Sequence, residues 1–131
     1  MAAGLTAEQV EFFHREGYLH VPYALGAEDL DPVQIELEGI VEAAAQRLLA
    51  AGTIDQDYGE LSFDRRLIPL VRQDASAAEG INFPANLGTE IFDFLHNSRL
   101  LNIVECLVGT EIYAHSCQHI RAKLPATGDY A

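Results

Sequence analysis

Apolar positions recur at helical spacing through most of the chain and at strand spacing near its end. Thr6 followed by Gln9 forms a capping box, flanked by Leu5 and Val10 as a hydrophobic staple, so a helix is predicted from about Ala7 to Glu16. Gly17 is placed to end it in a left-handed turn, and Tyr18-Leu19-His20-Val21, closed by Pro22, reads as a short strand. A second helix follows from Leu30, Val33, Leu37, Ile40, Val41, Ala44, Ala45, Leu48 and Leu49, which share one face, and Gly52 ends it. Asp31 before Pro32 either caps a fresh start or marks a kink near its beginning. The acidic run Glu28-Asp29-Leu30-Asp31 suits a helix start through the macrodipole.

From Thr53 to Asn82 the pattern is loosely helical. Ser62 is placed to cap a helix through Phe63, Leu67, Leu70 and Val71, with Pro69 inside it, while the small and polar stretch 73–80 reads as a loop. Two short helices are predicted next, one carrying Ile91, Phe92, Phe94 and Leu95, the other starting at Asn97 or Ser98 and closing at Gly109. The period then changes to two. Between Glu111 and Leu124, Ile112, Ala114, Ile120, Ala122 and Leu124 interleave with Tyr113, His115, His119, Arg121 and Lys123, which predicts a strand, with a bulge between Ser116 and Gln118 where the phase shifts. A lone strand needs partners, either the Tyr18–Val21 segment or residues outside this sequence.

Composition narrows the classes. The 131 residues, 49 % hydrophobic and 21 % charged, fit one globular domain spanning 1–131. A formal charge of -12 with no basic stripe argues against nucleic acid and against anionic membrane surfaces as partners. The opening Met1-Ala2-Ala3-Gly4-Leu5-Thr6 has no basic leader or long apolar run, and no segment reaches the roughly 18 apolar residues of a membrane span, so a cytoplasmic location is expected. Cys106 and Cys117 have neither a disulfide framework nor a Cys-x-x-Cys spacing, which leaves reduced thiols and no zinc site.

Three stretches in order resemble the N-terminal half of the phytanoyl-CoA dioxygenase family of Fe(II)/2-oxoglutarate-dependent oxygenases: LTAEQVEFFHREGYLHVPYAL (5–25), LLNIVECLVGTEI (100–112) and HIRAKLPATG (119–128). Between them the chain matches only in helical character. The resemblance implies an α+β chain, mostly helical, comprising the N-terminal helical part and first strands of a double-stranded β-helix of the jelly-roll or cupin-like kind. It also implies a hydroxylase that, when complete, acts on a small organic substrate while decarboxylating 2-oxoglutarate to succinate. In such enzymes a His-x-Asp and a distant His hold the iron and leave open positions for cosubstrate and oxygen. None of the five histidines, at 14, 20, 96, 115 and 119, is followed two residues later by Asp. The implied motif would begin just after Ala131, so the chain is expected to be truncated before it, with no catalytic or metal-ligating residue and no tight iron binding by itself. His14-Arg15-Glu16 has a His-x-Glu form, but two positions apart on a helix point to different faces.

Lys123 matches the family lysine that in some members reaches 2-oxoglutarate, a dicarboxylate that calls for cationic partners. Arg121 and His119 precede it by two and four residues and share its side of the predicted strand, so His119, Arg121 and Lys123 are the candidate cofactor-binding residues. A strand-end lysine in solvent is the plainer alternative. Gln118 and His115 are weaker candidates for substrate contact, His20 and His96 are expected in partly buried or capping positions, and Arg65-Arg66 after Asp64 is expected to form helix-surface ion pairs. The competing reading is a non-catalytic helical interaction module whose open edge pairs with a second copy of the chain or with another protein.

Overall fold

A computed structural model describes residues 4–82, 88–115 and 120–125. Along these run α1 (Ala7–Glu16), α2 (Ala27–Ala51), α3 (Phe63–Gln73), a 3-10 turn (Ala75–Ala78), α4 (Glu79–Asn82), α5 (Thr89–Leu95) and α6 (Ser98–Val108). Among the described residues there is no strand. The α+β expectation, with the first strands of a double-stranded β-helix, is therefore corrected to an all-helical description. A ladder forms only where a second strand meets the first; among the described residues Ile120, Ala122 and Leu124 rest on the helical core instead, while residues 111–115 are exposed. The predicted bulge lies in 116–119, outside the described residues.

The residues gather into two compact units, the first comprising 1–33 with 88–116, the second 34–87 with 117–131. In the first, α1 forms as its capping box dictates. The Gln9 N–H donates to Thr6 Oγ1 (3.2 Å) and the Thr6 N–H to Gln9 Oε1 (2.9 Å), while Gly17 closes the helix at φ 78°. Where Tyr18 was predicted to enter a strand, its ring packs edge-on against Phe12 at 5.5 Å, folding the segment back onto α1. Asn97 caps α6, its Oδ1 accepting from the N–H groups of Arg99 (2.9 Å) and Leu100 (3.0 Å). The start of α2 is tied to this cap. Asp29 accepts from the Gly26 N–H (2.8 Å), Asn97 Nδ2 (2.7 Å) and Arg99 Nη1 (2.7 Å), and Arg99 also pairs with Glu28.

That knot has a pH consequence. The Gly26 N–H, then Asn97 and Arg99, hold the Asp29 carboxyl below its ordinary 3.8, and its own backbone N–H with Arg99 holds Glu28 below 4.5. Both groups bind protons more weakly folded than unfolded, so their contribution is full above the ordinary values and fades as pH falls through them. Thermal midpoints should stay flat from neutrality down to the ordinary carboxylate range and then fall. Asp29→Asn should fall less steeply across the acid limb; an identical slope would remove Asp29 from the account.

In the second unit, Val41, Ala45 and Leu48 of α2 meet Ile54, Leu67 and Leu70 of α3, Ala77 and Ile81. Ala45 and Ala77 are at most 1 % exposed, which lets backbones approach closely. The stretch read as a loop is thereby corrected: 75–82 is helical, Asp74 Oδ1 caps it by accepting from the Ser76 N–H (2.9 Å), and Ala77 and Ala78 are core rather than surface. Pro32 neither restarts nor ends α2, because it stands in an early turn where the helix loses a single backbone bond.

Candidate functional site

The five residues from Ile120 to Leu124 alternate in exposure: Ile120, Ala122 and Leu124 are half-buried, Arg121 and Lys123 exposed. That is the period of extended backbone, and the three apolar side chains pack against the helical core of the second unit. Over these five residues the predicted two-sided pattern survives without the predicted ladder, whereas Ile112 and Ala114, predicted on the same apolar face, are exposed. Beside this segment lies a cleft of about 310 Å³. Leu37, Val41, Phe63, Leu67 and Ile81 line it together with residues 120–124, and Asp64 joins Arg121 and Lys123 among its charged lining.

Chemically this is an apolar trough bordered by two cations and one carboxylate. Asp64 accepts a hydrogen bond from Ser62 Oγ (2.6 Å), which holds its carboxyl below the ordinary value and keeps it charged. An anionic ligand bound by Arg121 and Lys123 would thus meet one opposing charge, which weakens the net attraction. His119, Gln118 and Cys117 lie outside the described residues. The structure therefore brings together Arg121 and Lys123, two of the three candidate cofactor residues.

The weaker candidates sit elsewhere. Arg66 is not a free surface cation: its Nη1 pairs with Glu42 Oε2 (2.6 Å) and its Nε donates to the Asp57 carbonyl (3.0 Å), with only 12 % of the side chain exposed. Arg65 is exposed beside Asp64 at 4.0 Å, an ion pair of little worth. His96 closes α5, its Nδ1 2.9 Å from the Phe92 carbonyl oxygen, and so has the capping position predicted for it. His14 and His20 are exposed, His14 in the last turn of α1 and His20 in the segment after it. His115 is exposed as well.

The apolar lining contributed by Phe63, Leu67 and Ile81 was not singled out from sequence. For Phe63 and Leu67 the signal was present in the apolar positions of α3, but nothing in a linear pattern pairs those positions with a segment more than fifty residues downstream. Among the described residues no three His, Cys, Asp or Glu side chains are grouped as metal ligands, and the sequence has no His-x-Asp. For 2-oxoglutarate the donor set fits in part, since Arg121 and Lys123 supply cations for its carboxylates. No described helix is long and apolar enough to cross a membrane. A scan against protein-family models found no match, and searches of curated proteins and of solved structures found none either.

Proposed function

We propose that this chain is the helical N-terminal portion of an Fe(II)/2-oxoglutarate-dependent oxygenase of the phytanoyl-CoA dioxygenase kind, a cytoplasmic hydroxylase of small organic substrates when complete. In this reading the 131 residues hold the cosubstrate side of the site, and the iron ligands come from residues outside them. One observation carries it: Lys123 and Arg121 border an apolar cleft because Ile120, Ala122 and Leu124 anchor their segment on the helical core. The three resembling stretches supply the chemistry that such a pair of cations would serve. Lys123 would take one carboxylate of 2-oxoglutarate and Arg121 would add a second positive charge; no step of oxygen chemistry is assigned to this chain.

Anaerobic calorimetric titration tests this. 2-Oxoglutarate should bind weakly without metal, and Lys123→Met should weaken it by about fivefold to tenfold, the loss of one charge-assisted contact. Iron(II) alone should show no tight binding. Tight iron uptake, or equal 2-oxoglutarate binding by wild type and Lys123→Met, would sink the assignment.

A second reading, a non-catalytic interaction module, is favoured by the first unit. Tyr113 (85 %), Val108 (64 %) and Phe92 (60 %) are largely exposed there, and Ile91 is its one buried hydrophobic among the described residues. Sedimentation tests its self-pairing form: a monomer across the micromolar range would leave the exposed side chains without a self-partner.

A further inference from the structure

The cleft beside Lys123 has more apolar lining than a short, doubly charged molecule such as 2-oxoglutarate can use. Val41, Leu67 and Ile81 are buried in its wall, while Leu37, Phe63 and Leu124, which also line it, are only half-buried. Apolar side chains left partly in water are covered favourably by a ligand with an apolar body. At about 310 Å³ the cleft stands at the lower end of small-molecule sites, roughly 300–1,000 Å³, and it has their usual lining, mostly apolar with a few charged groups.

Charge sets the other half of the ligand. Arg121 and Lys123 bring two positive charges to the lining and Asp64 one negative, which leaves one net positive formal charge. Asp64 keeps its charge, since Ser62 Oγ donates to it at 2.6 Å and holds its carboxyl below the ordinary value. A monoanion matches this balance. A dianion exceeds it by one, in a chain whose formal charge of -12 already opposes further negative charge.

We propose that this cleft takes an amphipathic monoanion, an unbranched aliphatic carboxylate, which competes there with 2-oxoglutarate. Its chain covers Leu37, Phe63 and Leu124, and its carboxylate meets Arg121 and Lys123. The inference rests on the reading above, that these two cations hold a carboxylate, and adds to it a competitor that shuts the cosubstrate out.

Calorimetric titration of the full chain with butyrate, hexanoate and octanoate tests this, with 1-octanol as the uncharged control and 2-oxoglutarate as the displaced ligand. Affinity should rise by about tenfold for every two methylenes added, the gain from burying them on apolar surface. 1-Octanol should bind at least fivefold more weakly than octanoate, and octanoate should raise the apparent dissociation constant of 2-oxoglutarate. Lys123→Met should lower the affinity of the whole series by about fivefold and leave its dependence on chain length intact. Leu37→Gln, at a residue outside the buried core, should flatten that dependence. Equal affinity along the series, 1-octanol binding as tightly as octanoate, an unchanged chain-length dependence in Leu37→Gln, or no saturation, as when a second copy of the chain covers the trough, overturns the inference. 2-Oxoglutarate binding through Lys123 that octanoate does not displace overturns the competitor alone and leaves the cosubstrate reading standing. Octanoate binding without any binding of 2-oxoglutarate removes that reading and the competition together.

Discussion

Replacing Leu70 by Ala is expected to remove about 3 kcal/mol of unfolding free energy, seen as a lower urea midpoint and a Tm reduced by roughly 10 °C. Leu70 is fully buried at the centre of the second unit, among Val41, Leu48, Ile54 and Leu67. Truncation forfeits the transfer energy of the side chain and leaves a void. α3 has little freedom to collapse into it, because Arg66 fastens that helix to Glu42 and to the Asp57 carbonyl while Gln73 Nε2 donates to Asp55 (2.7 Å). Against a total of roughly 5–15 kcal/mol for a domain, such a loss is large. Ile35→Ala is the control: at 66 % exposure it should change the midpoint by well under 1 kcal/mol. If the two variants unfold alike, the core is not where the structure places it.

The sequence showed the helices through their ends more than their middles. Thr6 with Gln9, Gly17, Asn97 and Gly109 are local signals, each acting over at most one turn, and α1 and α6 follow them closely. Residues 75–80 were misread because alanine and serine are permissive residues. Their small side chains look like a loop until Leu67 and Leu70 are seen to need a close neighbour, which is a tertiary fact. The expected strands failed on the same ground. Alternation announces extended backbone with two unlike faces, but it does not say whether the apolar face will find a sheet or, as with Ile120, Ala122 and Leu124, a set of helices. Lys123 became a candidate through the resemblance and Arg121 through its shared side of the predicted strand; the apolar cleft beside them had no such signal.

The alternation of residues 120–124 can be tested by moving one charge by one position. Ile120→Asp sets a carboxylate against the core of the second unit, and the lost burial together with carboxylate desolvation should cost about 2 kcal/mol in urea unfolding. Arg121→Asp alters the charge of the neighbouring exposed residue by more, yet it should shift stability by less than about 0.5 kcal/mol. Binding should rank the two differently. Arg121→Asp replaces an attracting charge beside the cleft with a repelling one, so 2-oxoglutarate affinity should drop by roughly tenfold or more in a protein that is still fully folded. Ile120→Asp should lose affinity only because the segment carrying Lys123 comes off its helical support. Adding salt distinguishes these causes: screening recovers part of the Arg121→Asp loss and none of a loss due to detachment. Equal destabilisation by the two substitutions would mean that the apolar side of the segment does not rest on the helices, and Lys123 would then have no fixed place from which to hold a carboxylate.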